Sequence, residues 1–522
     1  MNSHLSDEDK NYIKTIYYDR SLSWTSRINI LKIKYNRSGR TIRRWLSQLG
    51  FHLVKEAENS QFAKAKLKKY DKKSKIFFVT WAQNATPIHI YFWNNLKKYA
   101  EYVGASVHVI AGRYKNPTSI WTSSNENLEY WSEEVIPYLD ASRHDIHPYF
   151  TILSDVKVQP TNCEPLIGFE GITGDKSSIV GHPRVHLKFI PVLNNYKPKV
   201  ILTTGAVTLC NYTDSSLGKK AEFHHTYGFA IVEIADDETF YVRQVTASDD
   251  GSFTDLVHHV KNEIITDVTK CHAFVAGDIH CSNLEQPVLD SAIKYLDIVK
   301  PDNLILHDVF DGESINHHEF QNGFKRYELY SSNKNLLERE LNNVYDVLSK
   351  LLKYHPVIVK SNHDEFLEKW LLQYDWKKDI PNAELHLKLS HAIISGRASK
   401  GVLAFLLKEK FGESIICLDT DDSFKVMDWE LAHHGHLGYH GSQGSIDQYS
   451  RLNTKVIIGD KHIPMRKNGA LCVGTFSKLR LGYNKGASAW YHAGVVIHED
   501  GKAQHIIFFK NKQGRTHFTT LI

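Results

Sequence analysis

Cysteine is scarce and unpatterned in this chain. Its 522 residues include six, Cys163, Cys210, Cys271, Cys281, Cys417 and Cys472. They show no C-x-x-C and no regular spacing, which excludes a disulfide framework and a thiolate zinc site. The N-terminus, MNSHLSDEDK, lacks the apolar stretch of a secretory signal. No apolar run is long enough to span a bilayer. With 30 Gly and 14 Pro, collagen-like and low-complexity chains are also excluded. These absences predict a soluble, cytoplasmic protein with no membrane span. An overall excess of charge is missing too, since the formal net charge is only +5.

The distribution of that charge is uneven. Residues 1–75 hold 18 Lys and Arg against 7 Asp and Glu, a net of +11, and the remainder holds 46 against 52, a net of −6. A basic head on a mildly acidic body suggests an appendage for a polyanion. Within it, Asp7, Glu8 and Asp9 suit a helix start, and Ile13, Ile16 and Tyr17 have helical spacing. A second helix is expected over about Trp24–Tyr35, with Ile28, Leu31 and Ile33 apolar. The polar turn Asn36-Arg37-Ser38-Gly39 leads to a third over Arg40–Leu49, with Ile42, Trp45, Leu46 and Leu49 inward. Helix, short turn, helix is a helix-turn-helix arrangement. The last helix would present Thr41, Arg43, Arg44 and Gln48 to phosphates and base edges in a major groove. A helical cap with solvated charges would carry the same pattern. Residues 1–51 are thus read as a small all-α DNA-binding domain and 52–75 as a Lys-rich helical linker.

From Ile76 the rhythm is β-α-β: the strand IFFVTWA, an amphipathic helix over Ile88–Tyr102, and the strand SVHVIAG. Short strands follow, KVILTTG, FAIVEIA and TFYVRQV. Residues 76–267 form a mixed α/β domain whose role the sequence leaves open. His224 and His225 are ligand-type side chains there, though a structural loop pair is the simpler reading.

Chemistry gathers after residue 268. HAFVAGDIH, NLILHDVFD, PVIVKSNHDE, WELAHHGHLG and KVIIGDKH are each an apolar strand ending in Asp, His or Asn. The 30 histidines of the chain already favour metal or proton chemistry. Asp278 and His280, two apart on an extended segment, point the same way. Strand carboxyl ends are where open α/β sheets place ligand sites. Oxygen and nitrogen donors without thiolate favour manganese, iron, zinc or magnesium, and a carboxylate such as Asp308 could be shared by two ions.

The segments GDIH, HDVFD, SNHDE, HHG and GDKH resemble the five ordered motifs of the calcineurin-like metallophosphoesterases, GDxH, GDxxD, GNH(D/E), HG and GHxH. The resemblance covers roughly residues 270–510. It implies, for residues 268–522, a two-sheet α/β sandwich with a binuclear centre, most simply of Mn2+, with Mg2+, Fe2+ or Zn2+ compatible. By that resemblance Asp278, His280 and His462 hold one ion, Asp308 bridges, and Asn362 and His434 hold the other. His363 is then the general acid, Asp364 orients its ring, and Asp311 supports the loop. This chain departs from the pattern at His307 and Ser361, which replace glycines. It also carries Asp460 where a metal-binding His is usual, with His433 and His436 as alternatives.

The motifs alone do not choose the phosphoester. GTFSKLRLGYNKGASAW interleaves Lys478, Arg480 and Lys485 with Phe476, Tyr483 and Trp490, a pattern that suits a nucleic-acid strand or, equally, a hairpin with solvated charges. His317 and His318 could line the phosphate path. Residues 180–510 further resemble phage-encoded DNases related to double-strand-break-repair nucleases. The resulting expectation is a metal-dependent DNase, phage-encoded and acting in the host cytoplasm in DNA degradation or transfer, with DNA as partner and homo-oligomerisation left open. The alternatives are a phosphatase or cyclic-nucleotide phosphodiesterase, and a DNA-binding regulator or transfer protein with a degenerate centre.

Overall fold

The computed structural model describes residues 5–19, 24–49, 61–66, 70, 73–119, 129–194, 196–319, 322–482 and 484–522. The protein is α/β, built on one six-stranded, one five-stranded and one ten-stranded mixed sheet, with smaller sheets of three and two strands. Among the described residues no helix is long and apolar enough to cross a membrane.

The six-stranded sheet runs Ile416–Cys417, Pro356–Ile358, Pro301–Leu306, Cys271–Val275, Ala493–Ile497, Ala503–Ile507. Its first four strands are parallel and its last two antiparallel. Parallel strands covered on both faces need apolar residues on both, and alternation divides them. Phe274, Leu304, Leu306 and Ile358 pack with helices Gln286–Val299 and Leu337–Leu351. Ala273, Val275, Ile305 and Val357 meet Leu431, Ile457 and Leu471 of the ten-stranded sheet.

That ten-stranded sheet crosses the boundary drawn at 267/268. Strand Met465–Lys467 pairs antiparallel with Leu187–Ile190, so strands from 425–472 and from 143–203 form one continuous ladder. The change of residue pattern at 268 marks where the ligand-rich tips begin, and the sheet itself has no seam there. The five-stranded sheet, Phe240–Thr246, Gly228–Ile234, Ile76–Gln83, Ser106–Gly112 and Leu139–Asp140, packs Val79, Ala230 and Val232 against Phe150, Ile179 and Leu202 of the far half of the ten-stranded sheet.

The N-terminal helices span Asp7–Tyr18, Trp24–Tyr35 and Gly39–Gln48 around Ile13, Tyr17, Ile28, Leu31, Ile42, Trp45 and Leu46. Ser6 and Asp9 form a capping box on the first. Ile33, the third apolar position named in the second helix, is 82% exposed. Arg43, Arg44 and Gln48 are exposed, as a groove-facing surface requires. Thr41 is half-buried with its hydroxyl against Ser38, the residue whose Oγ accepts the Thr41 N–H at 3.2 Å, so its first role is at the helix start. Of the expected linker helix Gln61–Lys66 is helical, while the other described linker residues, 70 and 73–75, are not.

A buried ionic knot ties three parts of the body together. Arg243 donates to Asp255 at 2.6 and 2.8 Å and to Glu233. Gln504 and Tyr99 donate to the same Asp255, and Thr519 and Thr520 to Glu233. All three charges are at most 2% exposed. Removing one partner from such a cluster strands the others. Arg243→Met should therefore lower unfolding free energy by about 3–5 kcal/mol in urea titrations; a loss below about 1 kcal/mol would show the knot to be dispensable.

Candidate metal centre

Four strand ends place the side chains. After Cys271–Val275 come Asp278 and His280, after Pro301–Leu306 come His307 and Asp308, after Pro356–Ile358 come Asn362 and His363, and after Lys455–Ile458 come Asp460 and His462. His434 follows the short strand Trp429–Glu430. The chain then turns sharply enough that His280, Asp308, Asp460 and His462 adopt left-handed backbone, φ 45, 46, 67 and 57°. Non-glycine residues rarely do so, and such strain concentrates at functional sites. Glycines make the remaining room. A Cβ on Gly459 would lie 2.3 Å from Asp278 Oδ1 and 2.9 Å from His307 Cγ.

The tips converge on Asp308. Its Oδ2 is 3.4 Å from His280 Nε2 and 3.3 Å from His434 Nε2. His462 Nε2 lies 3.1 Å from both His280 Nε2 and Asp278 Oδ2. Two groups result, His280–Asp308–His363 and Asp278–Asp308–His434, each with ligand-type atoms within 4.8 Å of one another, and Asp308 belongs to both. Many of these atoms are buried without a hydrogen bond: both carboxylate oxygens of Asp278, Asp308 Oδ1, Asn362 Oδ1, His434 Nε2 and His462 Nδ1. Buried polar atoms are normally paired, so a cluster of orphaned oxygen and nitrogen donors without thiolate fits hard-to-borderline divalent cations.

Electrostatics agree with that fit. Burial, helped by Asp308, pushes Asp278 up to about 7 against the pull of His434 and His280. Burial would raise Asp308 as well, but the imidazoles of His363, His434 and His280 hold it well below the usual carboxylate range. The same carboxylates overcome burial at His280 and His434 and lift each to about 9. Acids and imidazoles thus compensate one another where a cation would otherwise do so.

The support around the ligands differs in one respect from expectation. Asp364 does not orient His363. Its carboxylate turns back to accept the Ser361 N–H at 3.0 Å, bracing the Ser361–His363 turn from within, and burial pushes it up to about 7. His363 Nδ1–H donates instead to the Asp311 carbonyl at 2.7 Å, which leaves Nε2 free. The Asp311 carboxylate accepts from Ser282 N–H and Asn283, each at 2.8 Å, and lies 3.4 Å from His280 Nδ1. Asp311 therefore supports the loop as expected and also holds two imidazoles.

Asp460 is at the site but divided. Its Oδ1 is 3.8 Å from His434 Nε2, while Oδ2 pairs with Lys461 at 2.5 Å. His436 stacks 5.4 Å from His434 with both ring nitrogens buried and unpartnered, whereas His433 faces Tyr449. Of the other neighbours, Trp490, His307 and His317 are singled out by the sequence without these contacts, and Phe366 is not. Trp490 packs edge-on against His462 at 4.0 Å, and His307 Nδ1 lies 3.4 Å from His434 Nδ1. Phe366 packs tilted against His363 and edge-on against His317, 5.0 Å each, so His317 joins the site through an aromatic contact. Arg480 is spent on the Asn484, Gly486 and Val192 carbonyls. Tyr483 lies outside the described residues. His224 and His225 are remote from these tips; His225 bonds Tyr212 and the Thr208 carbonyl, a structural role.

The cradle at Gly459 is testable. Gly459→Ala should displace Asp278 and weaken Mn2+ binding by about 10–100-fold in calorimetry, with the fold kept by circular dichroism. Unchanged affinity would detach Gly459 from the site.

No family model matches the chain, and no solved structure matches it. Among curated proteins, Protein A1 of Escherichia phage T5 is 30% identical over 472 residues, covering 84% of this chain and 83% of the relative. On that match the chain belongs to the family of the phage T5 Protein A1.

Proposed function

We propose that this protein is a binuclear-metal phosphodiesterase that hydrolyses DNA, and that it is phage-encoded. The observation that carries the reading is Asp308, whose carboxylate is common to two buried groups of ligand-type atoms. The ordered motifs resembling calcineurin-like metallophosphoesterases support it, as do the two sheets facing each other beneath the tips. Two divalent ions, when bound, would polarise the phosphoryl group and acidify a water. By the resemblance Asp278, His280 and His462 would hold one and His434 and Asn362 the other, with Asp308 common to both, while the atoms themselves group Asp278 with His434 and His280 with His363 around the same Asp308.

The residues of the chain then divide the remaining work. His363, its Nδ1–H fixed on the Asp311 carbonyl, presents Nε2 to deliver a proton to the departing alkoxide oxygen. Trp490 and Phe366 close apolar walls beside His462 and His363 and limit water there. Reaction at phosphorus by water needs no side-chain nucleophile, so no phosphoenzyme is expected. DNA as substrate rests on the basic head, with Arg43, Arg44 and Gln48 exposed along one helix, and phage origin rests on the phage T5 relative.

The Asp460–Lys461 pair favours one competing reading. A cation already neutralising Asp460 is what a degenerate centre on a DNA-binding protein would show. Linear duplex DNA incubated with Mn2+ separates the two: chelator-sensitive degradation supports the enzyme, and a gel shift without hydrolysis supports the binder. Hydrolysis of p-nitrophenyl phosphate esters with DNA untouched would redirect the reading to a phosphatase.

Asp308→Ala should lower DNA hydrolysis by about a hundredfold or more while leaving DNA binding in place; retained hydrolysis would overturn the shared-ligand assignment. Charge reversal at Arg43 and Arg44 should weaken DNA affinity and flatten its salt dependence by a log–log slope of about 2. Turnover of a small diester should not change. Unaltered affinity would remove the head from the DNA interface.

A further inference from the structure

A cavity of about 470 Å³ opens where the edge strands of the five- and six-stranded sheets meet the middle of the ten-stranded sheet, lined by Arg466 of the ten-stranded sheet, Thr246 of the five-stranded and Ala503 of the six-stranded. Arg466 pairs across its strand with Leu471 on one side and Leu187 on the other, and directly paired residues share a face. Leu471 belongs to the apolar layer against the six-stranded sheet, Leu187 to the layer against the five-stranded sheet. A guanidinium therefore occupies the gap between two apolar layers.

Arg184 joins it in the same cavity. The two are 9% and 3% exposed, and the Nε of each is buried without a hydrogen bond. Their other contacts are to neutral oxygens. Arg184 donates to Asn468 Oδ1 at 3.3 Å and to the Lys220 carbonyl at 3.2 Å; Arg466 reaches only the Ala503 carbonyl, at 3.5 Å. Among the described residues no carboxylate lines the cavity, Glu164 acting on Arg184 only from outside the lining, while Lys455 and Lys502 stand at its rim. Lys455 is paired with Asp428 at 3.2 Å. Burial alone lowers Arg466, to about 10. Guanidinium groups are seldom buried unless an anion meets them, and their planar fork matches phosphate oxygens. Phe223, also lining the cavity, is 84% exposed, with His224 beside it held neutral by burial, at about 4. An exposed aromatic ring next to a basic cavity is a stacking platform for a base.

We propose that this cavity binds a nucleoside monophosphate, with the phosphate against Arg184 and Arg466 and the base against Phe223. The volume lies within the range of roughly 300–1,000 Å³ common to small-molecule sites. The site is separate from the metal centre. Lys455 opens the strand whose far end leads to Asp460, so the two lie about 16 Å apart along it at ~3.3 Å per residue. The inference does not depend on the phosphodiesterase reading.

Calorimetric titration of the full chain in chelator, with dAMP, deoxyadenosine and inorganic phosphate, tests it. The expected result is saturable one-site binding of dAMP, tighter than either fragment. Arg466→Gln should weaken it about tenfold or more, Lys502→Gln several-fold, and Phe223→Ala about fivefold for dAMP but not for phosphate. Asp308→Ala should leave it unchanged. Phe223 and Lys502 are at the surface or rim, so the test survives if Arg466→Gln does not fold. Absence of dAMP binding overturns the proposal, as does dAMP binding lost in Asp308→Ala. Phosphate binding equal to dAMP would reduce the cavity to an inorganic-anion site and overturn the nucleotide assignment. Binding of a single-stranded oligonucleotide but not of dAMP would assign the cavity to a strand instead.

Discussion

Two carboxylates, Asp278 and Asp308, are buried in one cluster of ligand-type atoms, and the arrangement of this half of the molecule follows from that crowding. Both are at most 2% exposed, so their charge must be met by something other than water. The strands deliver imidazoles to them from separate tips, His280, His434, His462 and His363. The left-handed backbone at four ligand positions and the glycine at 459 bring those groups to about 3 Å of one another. Replacing any of these with a roomier or more relaxed geometry would return the charges to solvent and lose the reason for the convergence. The helices behind the six-stranded sheet and the apolar layer in front of it hold the tips fixed.

Much of this was legible in the residues because strands with an apolar run and a polar tip announce both the element and its end. Asp278, His280, Asp308, His363, His434 and His462 could be named from spacing and resemblance, and they come together. Asp460 was doubtful from the sequence and is equally divided in space, between His434 and Lys461. What did not read out was whatever depends on the backbone. The resemblance assigns Asp364 to the ring of His363, yet a side chain one residue on cannot turn onto its neighbour's ring while it caps the same turn. The partner is a main-chain carbonyl, Asp311, more than fifty residues earlier, and no residue type signals a carbonyl. Trp490 was visible as an aromatic among basic residues, but its contact with His462 depends on how the chain returns past the fifth tip.

The helix boundaries in the head were close for a related reason. Local signals, acidic residues at Asp7–Asp9 and the polar turn before Gly39, act within one helical turn and need no tertiary information. Ile33 shows the limit of such signals. An apolar residue two positions past Leu31 faces the other side of the helix, and the small core has no layer there to cover it.

The ladder joining Met465–Lys467 to Leu187–Ile190 has a consequence for how the chain can be divided. A fragment starting at the first ligand-bearing strand would leave the 465–467 strand with a row of unmatched amide and carbonyl groups, and bare strand edges recruit other chains. The ligand-bearing segment and the segment before it are therefore one unit of synthesis and inheritance. An ancestor could gain or lose the helical head as a detachable piece. The body could change only as a whole, with each half supplying the edge the other requires.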